Sequence, residues 1–149
     1  MRNIILILSI NLSLFSCNDS KNENTFPQNI VFTVISNDIL SGNGSEGIVK
    51  SNMVINNTSD WQNLLTQMNS VNNVSDNFTE TTIDFDSYLL IAVFLEVKSN
   101  GWEVKITNIT ENESSLVVST NETEFVSLVM TQPYSIVKIR RTEKTIKFE

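Results

Sequence analysis

The sequence predicts an α+β domain: a mainly antiparallel β-sheet with one short helix packed on it, in the order β-β-α-β-β-β-β-β. Three observations carry this expectation. Apolar residues take helical spacing convincingly once, at Trp61, Leu64, Leu65 and Met68, which are i, i+3, i+4 and i+7 on one face. Short runs rich in Val, Ile, Phe and Thr recur along the rest of the chain between polar stretches. One helix cannot supply the crossovers that a parallel sheet needs, so the strands should pair antiparallel.

The elements follow in order. Ile30–Ile35 is short and β-branched, hence a strand, and Ser41-Gly42-Asn43-Gly44 is a turn cluster. A second strand lies between Ile48 and Ile55. Ser59-Asp60-Trp61-Gln62 fits a capping box, with Ser59 accepting from the Gln62 amide and Gln62 reaching back, so the helix opens there and ends near Asn69. Ser70 to Thr82 is a polar, Asn-rich loop. From Tyr88 to Val97 the chain is nearly all apolar, the pattern of a central strand covered on both faces, with a buried helix as the competing reading. Asn100-Gly101 is a hairpin signal, after which Trp102, Val104, Ile106 and Ile109 largely alternate with polar residues. Leu116–Val118 and Phe125–Val129 continue the series, and Pro133 punctuates it. Ile136–Ile139 and Thr145–Phe148 are expected to form a terminal hairpin around Thr142-Glu143-Lys144.

Composition mostly subtracts. At 149 residues and 40% apolar content the chain can build one core but not two. Ten basic against seventeen acidic side chains is the wrong sign for a general nucleic-acid binder. The absence of His excludes Ser-His-Asp and Cys-His hydrolases and zinc sites with His ligands. A single Cys excludes disulfides within the chain and cysteine-cluster metal sites. No cofactor is implied.

The amino terminus is the strongest signal. Arg2 gives a positive start, and Ile4 to Phe15 is almost wholly apolar. About twelve residues at about 1.5 Å each reach about 18 Å, short of the roughly 30 Å of a bilayer core. This is an export signal rather than a spanning helix. Leu14-Phe15-Ser16-Cys17 resembles the bacterial lipobox, in which the small Ser16 lets a peptidase approach and the Cys17 thiol receives diacylglycerol. Residues 1–16 are then a lipoprotein signal peptide and 17–29 a polar flexible tether from the lipidated cysteine. Residues 30–149 form a single folded domain. Two or three acyl chains make attachment effectively permanent, where one chain binds only reversibly. The expected location is the bacterial cell envelope, at the outer membrane, with the membrane itself the first partner.

Four blocks carry a family resemblance: Thr58-Ser59-Asp60-Trp61 opening the helix, Ile83-Asp84-Phe85-Asp86 leading into Tyr88–Phe94, Ser99-Asn100-Gly101-Trp102-Glu103-Val104-Lys105-Ile106, and Gln132-Pro133-Tyr134-Ser135-Ile136-Val137-Lys138-Ile139. In order and spacing they resemble the protease complex subunit PrcB family in its C-terminal domain, from about Ile48 to Glu149. The resemblance implies a small secreted or lipid-anchored accessory module, associated in its namesake with a surface protease complex. It implies no catalytic residues.

Residue patterns leave three functional readings. The first is a non-enzymatic accessory or interaction module for a secreted protease or another envelope protein. Lys138, Arg140, Arg141, Lys144 and Lys147 hold half of all basic residues, and on alternating strands Lys138, Arg140 and Lys147 share an outer face, as a partner site or as charge guarding an edge hairpin. Trp102 and Tyr134, beside turns, are interface anchors or core filler. The second reading is a carboxylate- or calcium-dependent hydrolase at Asp84 and Asp86, which point to one face if they lie on a strand; the plainer reading is a cap or turn. The third is a glycan or peptide binder using an exposed aromatic such as Trp102.

Overall fold

The computed structural model describes residues 25–41 and 43–149. The expected signal peptide, with Ser16, the expected lipidation site Cys17 and most of the expected tether, lies outside the described residues. The elements are β1 (Gln28–Asn29), β2 (Thr33–Leu40), β3 (Ser51–Ile55), α1 (Thr58–Met68), β4 (Tyr88–Phe94), β5 (Gly101–Glu111), β6 (Ser115–Phe125), β7 (Gln132–Arg140) and β8 (Thr145–Phe148). The α+β class and the expected order hold, with the two-residue β1 added in front. Gln28 and Asn29, read from the sequence as the end of the tether, pair with Glu111 and Thr110 of β5.

The strands form two sheets rather than one. The outer sheet has the order β1-β5-β6-β8 and the middle sheet β2-β7-β4-β3. Helix α1 covers the other face of the middle sheet, giving three layers. Sheet membership follows from which strands are apolar on both faces. In β4, Leu89, Ile91 and Val93 face the outer sheet while Leu90, Ala92 and Phe94 face the helix. In β7, Val137 and Ile139 face the outer sheet while Tyr134 and Ile136 face the helix. Only the middle layer buries both faces, so these two strands lie side by side in it, with Phe94 opposite Tyr134.

β8 buries one face only, through Ile146 and Phe148. The terminal hairpin is therefore absent: β8 crosses to the outer sheet and pairs parallel with β6, Leu116 opposite Ile146 and Val118 opposite Phe148. All other pairings are antiparallel.

Three local expectations change. The helix is capped by Asn57, whose side chain accepts from the Asp60 amide at 2.9 Å and donates to the Asp60 carboxylate at 2.7 Å. This reciprocal pair sits two residues before the expected Ser59–Gln62 box, and Trp61, Leu64, Leu65 and Met68 are buried as expected. Asn100-Gly101 does not turn β4 into a hairpin with β5, because the two strands belong to different sheets. Gly101 instead sits opposite Phe125, whose ring would lie 2.3 Å from any Cβ there, so the glycine admits the ring. Finally, β6 runs from Ser115 and ends at Phe125, so Val126–Val129, expected to continue as strand, is a loop.

A bulge between Ile106 and Asn108 lets β5 bend toward the middle sheet. It also explains why the apolar alternation steps from Ile106 to Ile109. The Ile106 amide donates to Ser135 Oγ at 3.0 Å, and that buried hydroxyl donates to Asn37 Oδ1 at 2.6 Å, joining the sheets.

Candidate functional site

The long strand β5 defines the ends of the molecule. Gly101 pairs with Phe125 at one end and Glu111 with Gln28 at the other. The ends of this 11-residue strand are ten steps of about 3.3 Å apart, roughly 33 Å. Antiparallel pairing places the 43–50, 95–100 and 126–131 connections together at the far end, away from where the amino-terminal segment enters.

That far end carries an uncovered apolar tip. Val126 and Leu128 are fully exposed, Val129 is 61% exposed and Met130 47%. The loop is fixed at its base, since Lys98 and Thr131 exchange both backbone hydrogen bonds at 2.8 and 3.0 Å. The Gln132 side-chain amide further ties β7 to the Ile48 and Leu95 carbonyls. The loop side chains project beyond the last layer and have no core to enter. Each large apolar side chain left in water forgoes roughly 1.5–3 kcal/mol of burial.

Two hollows adjoin the tip and share Ile39. One, of about 430 Å³, lies between Ile39 and Leu128–Met130. The other, of about 200 Å³, lies between Asn37–Ile39 of β2 and Trp102–Lys105 of β5, with Phe125 at its mouth. Trp102 is half-buried in this wall, and Lys98 Nζ stands 4.5 Å from its ring centroid. Glu96 binds Lys98 at 2.5 Å and Lys50 at 2.9 Å, and these ammonium groups hold its carboxyl down at about 2. The exposed Glu122 and Glu124 lead β6 up to the tip. The site is thus an apolar projection with an acidic approach.

The other sequence candidates disperse. Tyr134 is fully buried, its ring 5.8 Å from Phe94 and 6.2 Å from Phe78, so it is core and not an interface anchor. Its hydroxyl shares a hydrogen bond with Ser36 Oγ at 3.2 Å, and burial pushes its pKa up to about 12. Lys138 pairs with Glu80 on the helix-bearing side of the middle sheet and covers the Tyr88 ring at 4.8 Å. Arg140 is exposed on that side and lines one hollow with Lys138 and Arg141, whereas Lys147 lies on the outside of the other sheet, so two of the three basic residues come together and the third does not. Arg141 donates to the Phe85 carbonyl and Lys144 to the Asn112 carbonyl, binding connections together.

Asp84 and Asp86 occupy a turn before β4, not a strand. Asp84 Oδ1 accepts from the Asp86 amide at 3.1 Å, and the Asp84 carbonyl from the Ser87 and Tyr88 amides. Hydrogen bonds from Ser87 and Asp86 lower the Asp84 pKa. No third carboxylate joins them in a metal-binding group among the described residues.

Sequence reasoning passed over the tip because Phe125–Val129 looked like one more strand. Leu128-Val129-Met130 in succession, without polar alternation, was the available signal. No protein-family model, no curated protein and no solved structure matches this chain.

Proposed function

We propose that this protein is a lipid-anchored, non-enzymatic accessory module of the bacterial envelope, held at Cys17 and docking its apolar tip onto a secreted protease or another envelope protein. The observation that carries the reading is the exposed Val126–Met130 loop at the end opposite the amino-terminal entry. An anchor at one end leaves the other facing a partner. An exposed apolar patch on an otherwise layered domain is the usual mark of an interaction site. The lipobox-like Leu14-Phe15-Ser16-Cys17 and the PrcB-type blocks support the same reading.

The test is site-specific photocross-linking in intact envelopes. A photoreactive group replacing Leu128 should give a reproducible protein adduct, and one replacing Lys147 should not. Adducts to lipid alone, or equal adducts from both positions, would exclude protein docking through the tip. The anchor is tested separately: Cys17→Ser should abolish incorporation of labelled palmitate.

The hollow beside Trp102 favours a second reading, a short peptide or glycan held against the indole. Because Trp61 is buried and Trp102 half-exposed, such a ligand would change the fluorescence of Trp102. Spectra unchanged across a peptide and glycan panel would dismiss it.

A further inference from the structure

β6 has one paired and one open side. β5 follows it from Leu116 to Phe125, but β8 covers its outer edge only from Ser115 to Val118. The Glu149 amide donates to the Val118 carbonyl at 3.1 Å, so Val118 turns its backbone groups outward. Backbone direction alternates along a strand, which turns those of Thr120, Glu122 and Glu124 outward as well. Among the described residues no strand or side chain meets these groups. Residues 121–125 are exposed. Two other edges are interrupted: the Ile35 carbonyl at the β2 bulge accepts from Thr79, and the Ile106 amide of β5 is taken by Ser135; the remaining edge of the middle sheet, β3, is only five residues long.

We infer that the outer edge of β6 from Thr120 to Glu124 is a strand-addition site for an extended, lysine- or arginine-bearing segment of the partner protein. This rests on the docking reading above and names its chemistry. Main-chain hydrogen bonds to an open edge give affinity, and side chains at alternate positions give selectivity. Glu122 and Glu124 lie two apart and therefore project from the same face of the strand. They also argue against a second copy as the occupant. A two-fold antiparallel pairing centred on Glu122 sets it against itself, and one centred on Thr123 sets it against Glu124; like charges directly opposite are destabilising. A basic segment relieves that repulsion. Such a strand, continuing the line of β8, leads to Val126, so edge and tip form one continuous surface.

The experiment uses the mature lipidated protein in detergent and hydrogen exchange read at single amides. The probes are three capped synthetic peptides: Thr-Lys-Val-Lys-Val-Thr, its counterpart with Glu for Lys, and the lysine peptide N-methylated at alternate positions. The lysine peptide should slow exchange at Thr120, Glu122 and Glu124 by about ten-fold, and the other two should not. Joint Glu122→Lys and Glu124→Lys substitution should transfer protection to the Glu peptide. Equal protection by both charged peptides, protection by the methylated peptide, or none on β6 would each overturn the inference. Val126→Ser with Leu128→Ser separates the two readings. Peptide protection retained in this variant, without any Leu128 cross-link in the parent, would leave the edge standing and the tip excluded.

Discussion

At the scale of single residues, Gly101 and Glu96 make the sharpest predictions. Gly101 admits the Phe125 ring, which is 48% exposed and free to swing outward. Gly101→Ala should therefore destabilise the domain by about 1 kcal/mol rather than prevent folding, through lost cross-strand packing. In a Phe125→Ala background the same change should cost nothing, and denaturant unfolding of the four proteins would measure the coupling. Glu96 carries a carboxyl lowered from 4.5 to about 2. A carboxylate lowered in the folded state stabilises it at neutral pH and loses that contribution as pH falls from about 4.5 toward 2. Melting temperature should decline over that window in the parent and more gently in Glu96→Gln. An equal slope in both would refute the pairing with Lys98 and Lys50. At the alkaline end, Tyr134 ionises at about 12 in the fold, against 10.0 normally. Stability should fall as pH rises between those values, and Tyr134→Phe should lose that dependence.

At the scale of elements, α1 shows how much local sequence decides and where it stops deciding. Its apolar spacing placed Trp61, Leu64, Leu65 and Met68 on one face, and all four are buried. Its start was less legible, since Asn56-Asn57-Thr58-Ser59-Asp60 offers five residues able to cap. The choice falls to Asn57 because β3 ends at Ile55, opposite Leu90, and the chain turns at once. Asn57→Ala should destabilise by about 1 kcal/mol in chemical denaturation, whereas Ser59→Ala, exposed and outside the cap, should stay within about 0.5 kcal/mol. β4 was equally legible, because a seven-residue strand buried at six positions can only be central. β8 was not. Its alternation reveals one buried face but not which sheet supplies the cover.

At the scale of the whole molecule, the three layers make the tip possible. The connections between outer and middle sheets all emerge at the ends of the strands, where no layer lies above them. Joint Val126→Ser and Leu128→Ser substitution should leave the melting temperature within about 2 °C of the parent, since fully exposed side chains contribute little to the fold. A much larger drop would show that the loop packs against the domain. The sequence by itself determined the α+β class, the helix face, the central apolar strand and the exclusion of histidine and disulfide chemistry. Those follow from composition and from periods of two and 3.6 residues, which act within a few neighbours. Only the tertiary structure decided that the strands divide into two sheets, that Tyr134 is core, that Lys138 and Lys147 part company, and that Val126–Met130 stands uncovered. Each of these depends on which remote segment lies across a given face, and local periodicity carries no record of that partner.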